Sequence, residues 1–255
     1  MSFTNLDLSL HGTVALLRLA KPSDAANTLG NCVLRELQDA VAQACQNPKV
    51  TLLVLTGTGR SFSAGADLAE IRRANSEKIA SLLRAGQSLL RQIMNLDVLT
   101  VAAINGLALG GGLELALACD IRWAHATAVF SLPEADLGLV PGWGGMGLLW
   151  RTVPESLCIE MVAGGERISA RRAYEAGLVS RVFEGRDFQA AVLSDAKKLA
   201  DKADGVLKGV KAWFKQQRGP VDLAAGDHSF RSLWNARMDW ARPSATCYAN
   251  RSTRQ

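Results

Sequence analysis

Two apolar, largely β-branched runs, Val50-Thr-Leu-Leu-Val-Leu-Thr56 and Leu99-Thr-Val-Ala-Ala-Ile104, each lead into a glycine-bearing loop and then a helical stretch. Neither run alternates. A strand with one wet face alternates polar and apolar side chains, whereas a continuously apolar strand is covered on both faces, as in a parallel sheet between helices. Repetition of strand, glycine loop and helix therefore restricts the chain to an α/β class.

The rest of the chain fits that layout. Val14–Ala20 is β-like, and Pro22–Asn27 is read as a loop. Asn31–Gln46 places Val33, Leu34, Leu37, Val41 and Ala44 at helical spacing. Residues 57–65 read as a loop, 67–73 and 77–96 as helices. A short helix is expected from near Gly112 to before Asp120, then strands at 121–124 and 128–131. From Pro154 onward the pattern is mostly helical. We expect a core over 1–195 and a helical C-terminal region over 196–255.

Composition narrows the class of function. Apolar residues at 48% and charged residues at 21% are those of a globular protein. The five cysteines, Cys32, Cys45, Cys119, Cys158 and Cys247, form no C-x-x-C pair, which argues against a disulfide framework and fits a cytoplasmic setting. His11, His125 and His228 have no metal-ligand spacing, so no metal site is expected. The start lacks a basic region followed by an apolar run, and the stretch 101–117 is broken by Asn105, glycines and Glu114, so neither a signal peptide nor a membrane span is expected. The formal charge of +5 has no basic stripe interleaved with aromatics, which argues against nucleic acid; a phosphate-bearing small molecule suits it equally well.

Three segments carry candidate chemistry. Gly110-Gly111-Gly112 follows a buried strand and opens a helix with Glu114 in its first turn. Free amides at such a helix end favour negative charge; alternatively, the glycines serve close packing and Glu114 is a helix-start charge. Arg60-Ser-Phe-Ser-Ala-Gly-Ala-Asp67 lies in an equivalent place and offers a second amide. There Gly57-x-Gly59 lacks the third glycine of a dinucleotide fingerprint, and Ser61-x-Ser63-x-Gly65 misses a nucleophile elbow. The third segment runs from Ser131 to Gly145. In it, Pro133-Glu134 is either a helix start or a second functional carboxylate, and Pro141-Gly-Trp-Gly-Gly145 is a tight turn. Trp143 either walls a site or packs with Leu148, Leu149 and Trp150.

Taken together, Ser63-Ala-Gly-Ala-Asp67, the segment Ala103–Asp120 with its Gly110-Gly-Gly-Leu-Glu114, Pro133-Glu134, Leu137-Gly-Leu-Val-Pro-Gly142 and Arg167-Ile-Ser-Ala170 resemble the crotonase superfamily, and within it the enoyl-CoA hydratases. The resemblance covers roughly residues 10–185. It implies a spiral of β-β-α units followed by a helical trimerisation region, assembled as a homotrimer or dimer of trimers. The implied ligand is an acyl-coenzyme A thioester, which is substrate rather than cofactor; no cofactor is implied. On the same resemblance, the oxyanion-hole amides fall on Ala66 and Gly111 and the two catalytic glutamates on Glu114 and Glu134. Substrate contacts fall on Ala64, Gly65, Asp67, Leu68, Gly110, Pro133, Gly142 and Trp143. The implied reaction is reversible syn hydration of a 2-enoyl-CoA; the alternatives are isomerisation, decarboxylation or hydrolysis of a CoA thioester, or a non-catalytic CoA-ester- or RNA-binding relative. The chain departs from the pattern at Trp143, where a small residue is usual, at Met146-Gly-Leu-Leu149, at Ala69, and in the tail from Trp240 to Gln255.

Overall fold

The computed structural model describes residues 3–21, 24–202, 205–219 and 221–236. Cys247 and the atypical tail from Trp240 lie outside the described residues.

A hairpin opens the chain: β1 (Leu6–His11) pairs antiparallel with β2 (Val14–Leu19). Helix α1 (Asn31–Gln46) follows, with the apolar stripe Val33, Leu34, Leu37, Val41 and Ala44 buried. Its cap, Gly30, has no side chain; instead the Glu70 carboxylate accepts from the Asn31 N–H at 3.0 Å. This long-range cap satisfies one of the amides that every helix start leaves open.

Three turns of a spiral come next. In the first, β3 (Leu52–Gly57) leads to β4 (Ser61–Ser63), α2 (Leu68–Arg72) and α3 (Ser76–Asn95). In the second, β5 (Leu99–Ile104) leads to β6 (Leu107–Leu109) and α4 (Gly111–Ala118). In the third, β7 (Ile121–His125) leads to β8 (Val129–Ser131), a 3-10 helix over Pro133–Leu137 and α5 (Gly145–Trp150). The first strand of each turn joins a six-stranded sheet, the second a four-stranded one. After α6 (Glu155–Ala163), β9 (Ile168–Ser169), α7 (Ala170–Glu175) and β10 (Arg181–Phe183) complete sheets of order β1-β2-β3-β5-β7-β10 and β4-β6-β8-β9. From β2 to β10 the larger sheet is parallel throughout.

Of the second strands, β4 lies where the sequence reading placed a loop, and β6 lies in a stretch to which it gave no element. Each is three residues long, too short to show a period of two. The strand β1, absent from the reading, has mixed burial because it is the sheet edge.

Both faces of the large sheet are covered. Leu53, Leu55, Ala102 and Ile104 face the main core with α1, α3 and α4. Val14, Leu16, Leu52, Val54, Leu99 and Val101 face a second layer, made by Val192, Ala196 and Ala200 of α8 (Phe188–Ala200) and Leu207 of α9 (Val206–Gln217). The position 195/196, expected as a boundary, falls inside α8. Helix α9 is pinned by Lys211, 1% exposed, whose Nζ lies 2.8 Å from both carboxylate oxygens of Asp120 at the end of α4. Asp120 also accepts from the Thr100 N–H and hydroxyl and from Arg218. Burial alone would raise its carboxyl, but Lys211 and these donors hold it below the usual range. The last described helix, α10 (Asp227–Ala236), packs on α3 and buries Phe230 and Trp234.

Candidate active site

The site forms where the first two turns of the spiral pass from the small sheet to their helices. The Ala64–Asp67 segment is held from behind by the 24–29 loop: Ala64 N–H donates to Ala26 O, and Leu29 N–H donates to Gly65 O at 2.8 Å. Asn27, buried at φ +52, ties that loop to Thr58 and Ser61 carbonyls through its Nδ2. In a trans peptide the C=O and the following N–H point opposite ways. With Gly65 O turned to Leu29, the Ala66 N–H points away from it.

Gly110 does the same work in the next turn. At φ +52 and ψ −127 it is in a conformation open to glycine and costly for other residues. Its N–H donates to Ser131 O and its C=O accepts from Glu114 N–H at 3.0 Å, which starts α4. The Gly111 N–H consequently points out of the helix start, where the dipole favours negative charge. Among the described residues no backbone acceptor bonds the Ala66 or Gly111 amide. The two segments touch: a Cβ on Gly65 would lie 2.9 Å from the Gly111 nitrogen and 2.6 Å from Leu109 O. Ala66 and Gly111 both line one cleft.

The two carboxylates reach that same cleft. Glu114 is 2% exposed on a helix buried all round. Its Oε1 accepts from the Trp143 N–H at 2.9 Å and the Gly145 N–H at 2.7 Å, so the tight turn after Pro141 serves as its clamp. Gly145 is needed there, since a Cβ would sit 2.8 Å from Glu114 Oε1. Burial pushes the Glu114 carboxyl up to about 7, while the two amides pull the other way. Glu134 is half-buried, and its Oε2 is shielded from solvent with no hydrogen-bond partner. Burial, then the charge of Glu114, push it up to about 8. Its Oε1 would lie 2.8 Å from a Cβ on Gly110, so the first glycine of the run makes room for the second glutamate. A buried acid with an orphaned oxygen holds its proton, whereas one bonded by two amides is the easier to ionise. The pair therefore favours one shared proton.

Of the residues expected from sequence, Ala64, Ala66, Leu68, Gly110, Gly111, Glu114, Pro133, Glu134, Gly142 and Trp143 all line the cleft. Gly65 and Asp67 do not. Gly65, at φ +87, is the floor beneath Gly111. Asp67 caps α2, accepting from the Ala69 and Glu70 N–H groups, and pairs with Lys21 at 3.4 Å. Trp143 does not pack outward with Trp150, which is 60% exposed; its indole lies against Gly86 and Gly111. The sequence reading missed Ile71 of α2, Leu82 and Leu83 of α3, Leu137, Leu139 and Phe230 of α10, which complete the apolar walls. Among the described residues no group of His, Cys, Asp and Glu could hold a metal ion, and no helix is long and apolar enough to cross a membrane.

Both the sequence and the spiral of β-β-α units match known proteins. The sequence model described as "Enoyl-CoA hydratase/isomerase" matches residues 9–234. The chain belongs to the enoyl-CoA hydratase/isomerase family. Within it, the chain is 38% identical over 231 residues to the 2,3-dehydroadipyl-CoA hydratase of Escherichia coli strain K12, covering 91% of this chain and 89% of that one. It is 36% identical to the crotonyl-CoA hydratase of Syntrophomonas wolfei, over 79% and 76% of the two chains. The crystal structure of an enoyl-CoA hydratase from Bacillus anthracis superposes with a TM-score of 0.81 at 31% identity, over 92% of this chain and 91% of that one.

Proposed function

We propose that the protein catalyses reversible syn addition of water to a 2-enoyl-CoA, giving a 3-hydroxyacyl-CoA. The observation that carries this reading is the pair of unlike carboxyl groups, Glu114 clamped by two amides and Glu134 with an orphaned oxygen, in a cleft that also holds the two free N–H groups. The names of the relatives, several of them hydratases of CoA thioesters, support it.

In this mechanism the thioester oxygen accepts from the Ala66 and Gly111 amides. Attack of water at the β-carbon moves an electron pair onto that oxygen as an enolate, so both donors bind the transition state more strongly than the substrate. Glu114, ionised, takes a proton from the attacking water. Glu134, protonated, gives its proton to the α-carbon as the enolate collapses. The net change is the addition of one water, and the proton left on Glu114 passes to Glu134 to reset the pair. With both carboxyl groups lining one cleft, this reading has the hydroxyl and the proton arrive from the same side of the double bond. Coenzyme A is part of the substrate, and no further cofactor enters.

The test is product analysis in deuterium oxide with crotonyl-CoA and 3-butenoyl-CoA. We expect crotonyl-CoA to become 3-hydroxybutyryl-CoA with one deuterium on the α-carbon, syn to the hydroxyl. Untouched crotonyl-CoA, with 3-butenoyl-CoA shifted to crotonyl-CoA, would show an isomerase instead.

A further inference from the structure

If the protein is the hydratase proposed above, Trp143 decides which acyl group it takes. Helix α3 carries a glycine, Gly86, in the middle of its buried stripe. The indole of Trp143 explains it. A Cβ on Gly86 would lie 2.2 Å from Cε2, 2.3 Å from Cδ2 and 2.4 Å from Nε1 of Trp143. A Cβ on Gly111 would lie 2.4 Å from Cζ3 and 2.9 Å from Cη2. The five-membered ring thus rests on the backbone of α3, and the benzo ring on the glycine that carries a cleft amide. The backbone on both sides of the indole is fixed: Gly142 O accepts from Gln87 Nε2 at 2.9 Å, and the Trp143 N–H donates to Glu114 at 2.9 Å. A tryptophan so held is a rigid wall, unable to swing aside for a longer chain.

The remaining lining points the same way. Leu82, Leu83, Leu139 and Phe230 line the cleft with the indole, and among the described residues the only ionisable side chains lining it are Glu114 and Glu134. No cation among the described lining residues could meet a carboxylate at the far end of an acyl group. Such a group would lose its hydration beside a glutamate that is already charged.

We propose that Trp143, seated on Gly86, is the specificity-determining wall of this site, and that it and a lining without cations among the described residues restrict the acyl group to a short, uncharged chain. This separates the chain from its Escherichia coli relative, whose name carries a dicarboxylic acyl group.

The experiment measures kcat/KM for crotonyl-, 2-hexenoyl-, 2-decenoyl- and 2,3-dehydroadipyl-CoA, with wild type, Trp143→Ala, Trp143→Phe, Gly86→Ala and the Gly86→Ala/Trp143→Ala pair. The wild type should prefer 2-hexenoyl-CoA over 2,3-dehydroadipyl-CoA, of equal length, by about a hundredfold. Trp143→Ala should raise the decenoyl-to-crotonyl ratio about tenfold or more, and Trp143→Phe should move it less in the same direction. Gly86→Ala, whose methyl group enters the indole's space, should depress all turnover, and adding Trp143→Ala should recover part of the loss. Unchanged chain-length ratios in both Trp143 variants, or comparable use of the two six-carbon substrates, would overturn the proposal while leaving the hydratase reading intact. No turnover of any of the four would overturn that reading and this inference with it.

Discussion

Removing the charge option from Glu134 should make the fold more stable, and increasingly so as the pH rises. Glu134 is pushed from 4.5 up to about 8 by burial and by Glu114. At a pH below both values the carboxyl is protonated whether the chain is folded or not, and it costs nothing. As the pH rises through 4.5 the unfolded chain releases the proton and the folded chain keeps it, so folding is progressively disfavoured until the pH passes about 8. At about 1.4 kcal/mol per unit, the full difference sets an upper bound on the order of 5 kcal/mol. Glu134 is half-buried and solvent screens part of the field, so roughly 2 kcal/mol is the expected size. Glu134→Gln keeps the shape and does not titrate. Its thermal midpoint should be close to wild type near about pH 5 and higher by roughly 4–8 °C near about pH 8.5. A difference that is flat across that range, or that shrinks as the pH rises, would refute the argument that burial and Glu114 hold the proton on Glu134.

Two further outcomes follow from the geometry. Proline is well tolerated at the first position of a helix, so Gly111→Pro would delete one cleft amide cleanly but for the clash of its ring with Trp143. In a Trp143→Ala background that clash is gone, and Gly111→Pro should lower kcat by about 10²–10³ with the circular dichroism unchanged. Lys211→Met should destabilise the protein by about 3 kcal/mol in urea titrations, the low end for a broken buried pair because Thr100 and Arg218 still hold the Asp120 carboxylate, and Lys211→Met with Asp120→Leu should recover part of the loss.

The repeating elements of the fold are legible in the sequence because burial writes a period into them. Helix α1 and strand β5 have the bounds the apolar pattern predicts, since one is buried on a single stripe and the other on both faces. The strands β4 and β6 left no period to read, yet they set the two cleft amides in place. Glu114 and Glu134 stand out because a carboxylate among apolar residues needs a reason. Their difference does not, since it arises from the Trp143 and Gly145 amides on one and a missing partner on the other. Asp67 looked like a ligand contact because its motif adjoins the Ala66 amide, but its side chain points back to cap α2. Phe230 was out of reach for a different reason: it lies almost a hundred residues beyond Glu134 and enters the cleft only through the packing of α10 on α3. Gly86 carried a signal that could have been found, as glycine inside an amphipathic helix costs about 1 kcal/mol against alanine and calls for a neighbour that needs the space.

The central claim is that Glu114 and Glu134 divide base and acid work in one hydration. Its most direct test is the steady-state hydration of crotonyl-CoA by Glu114→Gln, Glu134→Gln and the double variant. Each single change should lower kcat/KM by about 10²–10⁴, the range for a general acid or base, and the double should be little worse than the weaker single, because the two groups act as one unit. Near-normal hydration by Glu114→Gln, with Glu134→Gln inactive, would contradict the claim and leave a single-carboxylate proton shuttle in its place.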